Sequence, residues 1–138
     1  MYQSILVPVD LAHPQTLEKA LNTAADLARH YNTRVHYVAV AGTAPGNVAR
    51  TPEEYQHKLA EFARRQGELH GCDVQAHVYT ASDPVAALDD LIVKAAEDLS
   101  ADLLVMATHP PKGADVLIPS NGDKVARHTR ASVLLVRP

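Results

Sequence analysis

Residues 101–122 read ADLLVMATHPPKGADVLIPSNG. The segment from Asp102 to Ala107 has the length and unbroken hydrophobicity of a strand buried on both faces. A loop with prolines at 110, 111 and 119 follows, and Ser120–His128 reads as a short helix. A strand that leaves through a loop into a helix is the repeating unit of a parallel sheet. The fold therefore turns on whether the rest of the chain repeats that unit.

It does. Ser4–Pro8 is a short apolar strand ending at Val9-Asp10. Leu17, Ala20, Leu21, Ala24, Leu27, Ala28 and Tyr31 then form one helical stripe, with Pro14 suited to its first turn, where a missing N–H costs nothing. Arg34–Ala41 is a valine-rich second strand, followed by a Gly/Pro-broken loop, GTAPGNVAR. Thr51 is placed to cap the next helix, Pro52 to open it and Glu54 to complete a capping box. Its stripe is Tyr55, Leu59, Phe62, Ala63, Gln66 and Leu69, and Gly71 stops it.

Asp73–Thr80 is a more polar third strand, suited to a sheet edge. Asp83-Pro84 repeats the cap-then-proline device. The helix it opens is expected to bury Val85, Leu88, Leu91, Ile92, Ala95, Ala96 and Leu99. Ser132–Arg137 is a fifth strand. Strict alternation with nearly continuous apolar strands predicts one α/β domain over residues 1–138, a parallel sheet with helices on both faces and right-handed crossovers. Ligands of such sheets bind beyond the carboxyl ends of the strands, where strand order reverses. The ends concerned are Val9-Asp10, Val40-Ala41 and Met106-Ala107.

Composition narrows the function. The 138 residues are 46% apolar and 21% charged, with a net charge of −3 and no Lys/Arg cluster. That excludes strong binding to nucleic acid or anionic membranes. No apolar run approaches the roughly 20 residues that span a bilayer. The start, MYQSILVPVD, has no basic n-region, and the single Cys72 cannot form an internal disulfide; a cytoplasmic protein is expected. No HExxH or paired Cys/His spacing is present, so no metal site is expected beyond Mg accompanying ATP. His36 and His77, on separate strands, read as partly exposed edge residues. Asp89-Asp90, Glu53-Glu54 and Glu97-Asp98 read as solvated helix faces, since sequence neighbours on a helix point about 100° apart.

The segments ILVPVD, SDP, ADLLVMATH and SNGDKVARHTRASVLLVR, in this order and spacing, resemble the universal stress protein family over essentially the whole chain, nearest its UspF/UspG-like subgroup. The resemblance implies a Rossmann-like (HUP-type) five-stranded sheet in the order 3-2-1-4-5. It also implies a homodimer in which the last strand, Val133–Arg137, pairs with its symmetry mate.

Nucleotide-binding members carry G-x2-G-x9-G followed by Ser or Thr at the fourth strand's exit. Matched to it, Ala107 stands for the first glycine, Pro110 for the second and, after a one-residue shortening, Pro119 for the third; Ser120 keeps the closing serine. Proline donates no N–H and fixes φ. Two lost hydrogen bonds to a charged phosphate, about 1.5–3 kcal/mol each, weaken binding roughly a hundredfold to ten-thousandfold unless replaced. Thr108, His109, Lys112, Ser120, Asn121 and the N–H of Gly122 are the available replacements near the phosphates. The bland alternative for Ser120 is a capping box with Asp123. By the same resemblance Pro8, Asp10 and the backbone of Val40 surround adenine, and Met106-Ala107 the ribose; the bland alternative for Asp10 is a turn residue.

The expected function is stress-response regulation through binding, with ATP or another adenine nucleotide in that crevice. The alternative is a nucleotide-free homodimeric stress adaptor whose phosphate loop has lost its glycines, with an unidentified protein partner. Catalysis is not expected: there is no GxxxxGK loop, no nucleophile elbow and no base paired with His109. A slow ATPase stands as the third reading.

Overall fold

Ile5, Leu6 and Val7 are fully buried and alternate between the two sides of the sheet. They belong to β1 (Ser4–Pro8), which pairs in parallel with β2 (Arg34–Gly42) on one side and β4 (Leu103–Ala107) on the other. The edges are β3 (Val74–Ala81), beside β2, and β5 (Ser132–Val136), beside β4. The order is β3-β2-β1-β4-β5, all parallel, as the sequence and its resemblance predict. The structure is a computed structural model that describes residues 1–108 and 121–138.

Two cores result. Ile5, Val7, Val35 and Tyr37 pack with Leu21 and Ala24 of α1 (Glu18–Tyr31) and Tyr55 and Leu59 of α2 (Pro52–His70). On the other face Leu6, Val38, Leu104 and Met106 meet Ile92 and Ala96 of α3 (Pro84–Asp98) and Val125 of α4 (Asn121–His128).

The helix boundaries follow from the caps. Thr51 Oγ1 accepts the N–H of Glu54 at 3.1 Å, and the Glu54 carboxylate reaches back to the N–H of Arg50 at 3.2 Å. Asp83 Oδ1 accepts the N–H of Ala86 at 3.2 Å. Gly71 adopts φ 65° and donates to Gly67 O at 2.9 Å, closing α2 in the left-handed conformation that glycine favours.

Some expectations are corrected. Pro14 opens a 3-10 turn, Pro14–Leu17, which runs into α1; Thr16 donates through both N–H and Oγ1 to His13 O, closing a tighter ring than an α-turn. Leu69 is 73% exposed, because at 3.6 residues per turn it lies about 100° around α2 from the buried Leu59–Ala63 line. Val85 is also exposed, because the first turn of α3 borders an open crevice. His36 is not an edge residue: β2 is interior, and the side chain is 8% exposed. The register that sets His77 opposite Val38 brings His36 Nδ1 to 2.9 Å from His77 Nε2.

Asp102 secures the amino end of the sheet. Its carboxylate accepts the N–H groups of Gln3 and Ser4 at 3.0–3.1 Å, its own N–H donates to Ser4 O at 3.0 Å, and its carbonyl accepts Ser132 N–H at 3.0 Å. One residue thus ties β1, β4 and β5 together.

The histidine pair makes stability pH-dependent. Burial, then His77 and Arg34, push the His36 pKa down from 6.5 to about 4 against the opposing pull of Asp73, and burial lowers His77 as well. The folded state therefore binds fewer protons than the unfolded chain, and stability falls as pH drops from 6.5 toward 4. Urea melts between pH 7 and 5 are expected to show a falling midpoint in the wild type and a shallower fall in a His36→Asn/His77→Asn double variant.

Candidate functional site

The chain runs outward from β1 through β2 to β3, returns through α3 to β4, and ends at β5. Strand order therefore reverses between β1 and β4, and a crevice opens at their carboxyl ends. It measures about 410 Å³. Its floor is made by the strand ends, with Pro8 from β1, Val38 and Val40 from β2, and Met106 and Ala107 from β4. Pro84, Val85, Leu88 and Ile92 of α3 form an apolar wall. Opposite stand Asp10, His13, Thr16 and Tyr55.

Asp10 serves the turn and faces the crevice at once. Its Oδ1 accepts the N–H of Ala12 at 3.0 Å, and its carbonyl accepts the N–H of His13 at 3.1 Å. Tyr55 Oη steadies the same turn by accepting the N–H of Leu11 at 3.3 Å. Burial pushes the Tyr55 phenol pKa up. Thr108 follows β4: its N–H donates to Val136 O at 2.9 Å, while its Oγ1 is buried with no hydrogen-bond partner among the described residues.

Of the residues expected at the site, Pro8, Asp10, Val40, Met106, Ala107 and Thr108 line this crevice. His109, Pro110, Lys112, Pro119 and Ser120 lie outside the described residues, as does the side chain of Asn121. Gly122 is described and is not among the crevice residues. It is buried in α4, where an added Cβ would stand 2.4 Å from Leu135 Cδ2, so its smallness serves the packing of α4 on β5. His13, Thr16, Tyr55 and the α3 wall were not foreseen as site residues. Only the cap motifs flanking α2 and α3 hinted that those helices begin at the crevice level.

One acidic residue departs from the solvated-face expectation. Asp89 faces α4 with Oδ1 buried and without a hydrogen-bond partner among the described residues, and Oδ2 is 3.9 Å from Lys124 Nζ. Burial raises its carboxyl pKa, opposed by Lys124 and reinforced by Asp90. Burial likewise raises the Cys72 thiol, which disfavours the nucleophilic thiolate. Among the described residues no three His, Cys, Asp or Glu side chains are grouped to hold a metal ion, and no helix is long and apolar enough to cross a membrane.

The architecture is that of the doubly wound α/β proteins, with a small, partly polar crevice at the switch point. The Universal stress protein family model matches residues 1–137, and the chain belongs to that family. Universal stress protein G of Shigella flexneri is 29% identical over 148 residues, covering 99% of this chain and 100% of that protein. A universal stress protein in complex with cAMP superposes with a TM-score of 0.74 at 21% identity, covering 98% of this chain and 97% of the other. One from Archaeoglobus fulgidus in complex with dAMP gives 0.67 at 21% identity, covering 97% of each. At such identity these structures establish a shared fold.

Tyr55→Phe removes the acceptor of Leu11 N–H and loosens the Asp10 turn. It is expected to cost about 1 kcal/mol, lowering the melting temperature by roughly 3–5 °C in a calorimetric scan.

Proposed function

We propose that this protein binds an adenine nucleotide in the crevice at the ends of β1, β2 and β4, and acts by that binding rather than by catalysis. The observation that carries the reading is the convergence there of Pro8, Asp10, Val40, Met106, Ala107 and Thr108. A floor of valine and methionine suits the faces of a base, and the exposed Asp10 supplies polar contacts for its edge or for the ribose. Structural relatives holding cAMP and dAMP support the same class of ligand. The prolines at 110 and 119 favour ligands with few phosphates, because a triphosphate depends most on backbone N–H donors in that loop.

A second reading is supported by β5. It is an edge strand with Leu134 and Leu135 exposed at 38% and 41%. An apolar open edge invites another strand, and a homodimer through Val133–Arg137 would cover it. In this reading the protein is a dimeric adaptor in the stress response, with or without nucleotide.

Acid denaturation of the purified protein followed by chromatography is expected to release adenine nucleotide. A thermal-shift titration with AMP, cAMP and Mg-ATP is the companion test. Ligand at 100 times its dissociation constant adds about 2.7 kcal/mol, or roughly 2–8 °C. AMP is expected to shift the melting point and Asp10→Ala to abolish that shift. No response to any of the three at millimolar concentration would sink the nucleotide reading and leave the adaptor.

A further inference from the structure

The buried stripe of α3 does not stop where the core stops. Ile92 is 1% exposed, Leu88 one turn earlier is half-buried, and Val85 at the top of the stripe is 87% exposed. All three line the crevice. Scattered exposed valines are ordinary on protein surfaces. This one differs in position. Among the described residues, the other freely exposed large apolar side chains, Met1 and Leu69, line no part of the crevice, and Leu134 and Leu135 lie on the β5 edge. Val85 extends a continuous apolar wall into a concavity whose opposite side carries Asp10, His13 and Thr16.

A crevice with one apolar wall and one polar wall selects a flat ligand with an apolar face and a hydrogen-bonding edge. We infer that Val85 is a specificity-determining residue of this site, the upper end of an apolar wall against which the planar base of a purine nucleoside packs. The inference rests on the nucleotide reading above. It assigns base recognition partly to α3, a helix outside the strand-end residues, and leaves the phosphates to other groups. Pro84 fixes the first turn of α3 and Asp83 caps it, so Val85 is held on rigid backbone.

The test compares wild type, Val85→Thr and Val85→Asp by isothermal titration with adenosine, AMP and ribose 5-phosphate. Val85→Thr keeps the side-chain shape and replaces one methyl by hydroxyl. Val85→Asp places a negative charge in the first turn of a helix, where it is tolerated. Because Val85 touches little protein, both variants are expected to melt within about 1 °C of wild type without ligand. Threonine is expected to weaken adenosine and AMP alike by roughly three- to tenfold, and aspartate to weaken adenosine by about tenfold or more. Ribose 5-phosphate is expected to bind the threonine variant as it binds wild type. Variants that bind adenosine as tightly as wild type overturn the inference and leave the nucleotide reading standing. A threonine variant that loses ribose 5-phosphate affinity as much as adenosine affinity also overturns it. A wild type that binds neither adenosine nor AMP overturns both.

Discussion

The central strand must be buried on both of its faces, and the remaining architecture follows from that requirement. Ile5 and Val7 enter one core and Leu6 the other, so helices are needed on both sides of β1. A chain that covers both faces of a parallel sheet must reverse its direction of winding once. Here the reversal falls between β1 and β4, and the crevice lies at the strand ends there. The crevice is thus a by-product of burying three apolar residues from two sides. Its floor is apolar because the strands that form it are apolar throughout.

Much of this was legible in the chain itself. Unbroken apolar runs fixed the strands, and the residue pairs Thr51-Pro52 and Asp83-Pro84 fixed the starts of two helices, because a side-chain oxygen and a missing N–H each serve a helix end and little else. The polar third strand reads as an edge and is one. Periodicity was less informative about depth. Leu69 and Val85 have the right residue type, but exposure depends on where the helix overhangs the sheet, and that is a property of the assembled layers. The His36–His77 contact could not be read either. The two residues are far apart in sequence and meet only through the register of β2 with β3.

The candidate site divides along the same line. Of the strand-end residues, Pro8 and Thr108 entered through the family resemblance, whereas Asp10, Val40, Met106 and Ala107 were accessible from topology, because the strand ends of a doubly wound sheet converge. Residues contributed by helices and turns, His13, Thr16, Tyr55 and Val85, were not, because their inclusion depends on helix tilt and overhang. At Gly122 the missing Cβ makes room for Leu135, a contact that does not involve its N–H.

The two ends of the sheet have unequal duties. At the amino end, the Asp102 carboxylate holds two amides of the leading strand and its backbone joins the flanking ones, so that rim behaves as a rivet. At the opposite rim the crevice is lined by core residues such as Val38, Ile92 and Met106 and, further out, by exposed side chains such as Val85, His13 and Thr16 that lie outside the core. Drift in ligand preference can therefore proceed at the mouth while the foundation stays untouched. A lineage descended from such a scaffold is free to exchange what it recognises without relearning how to fold.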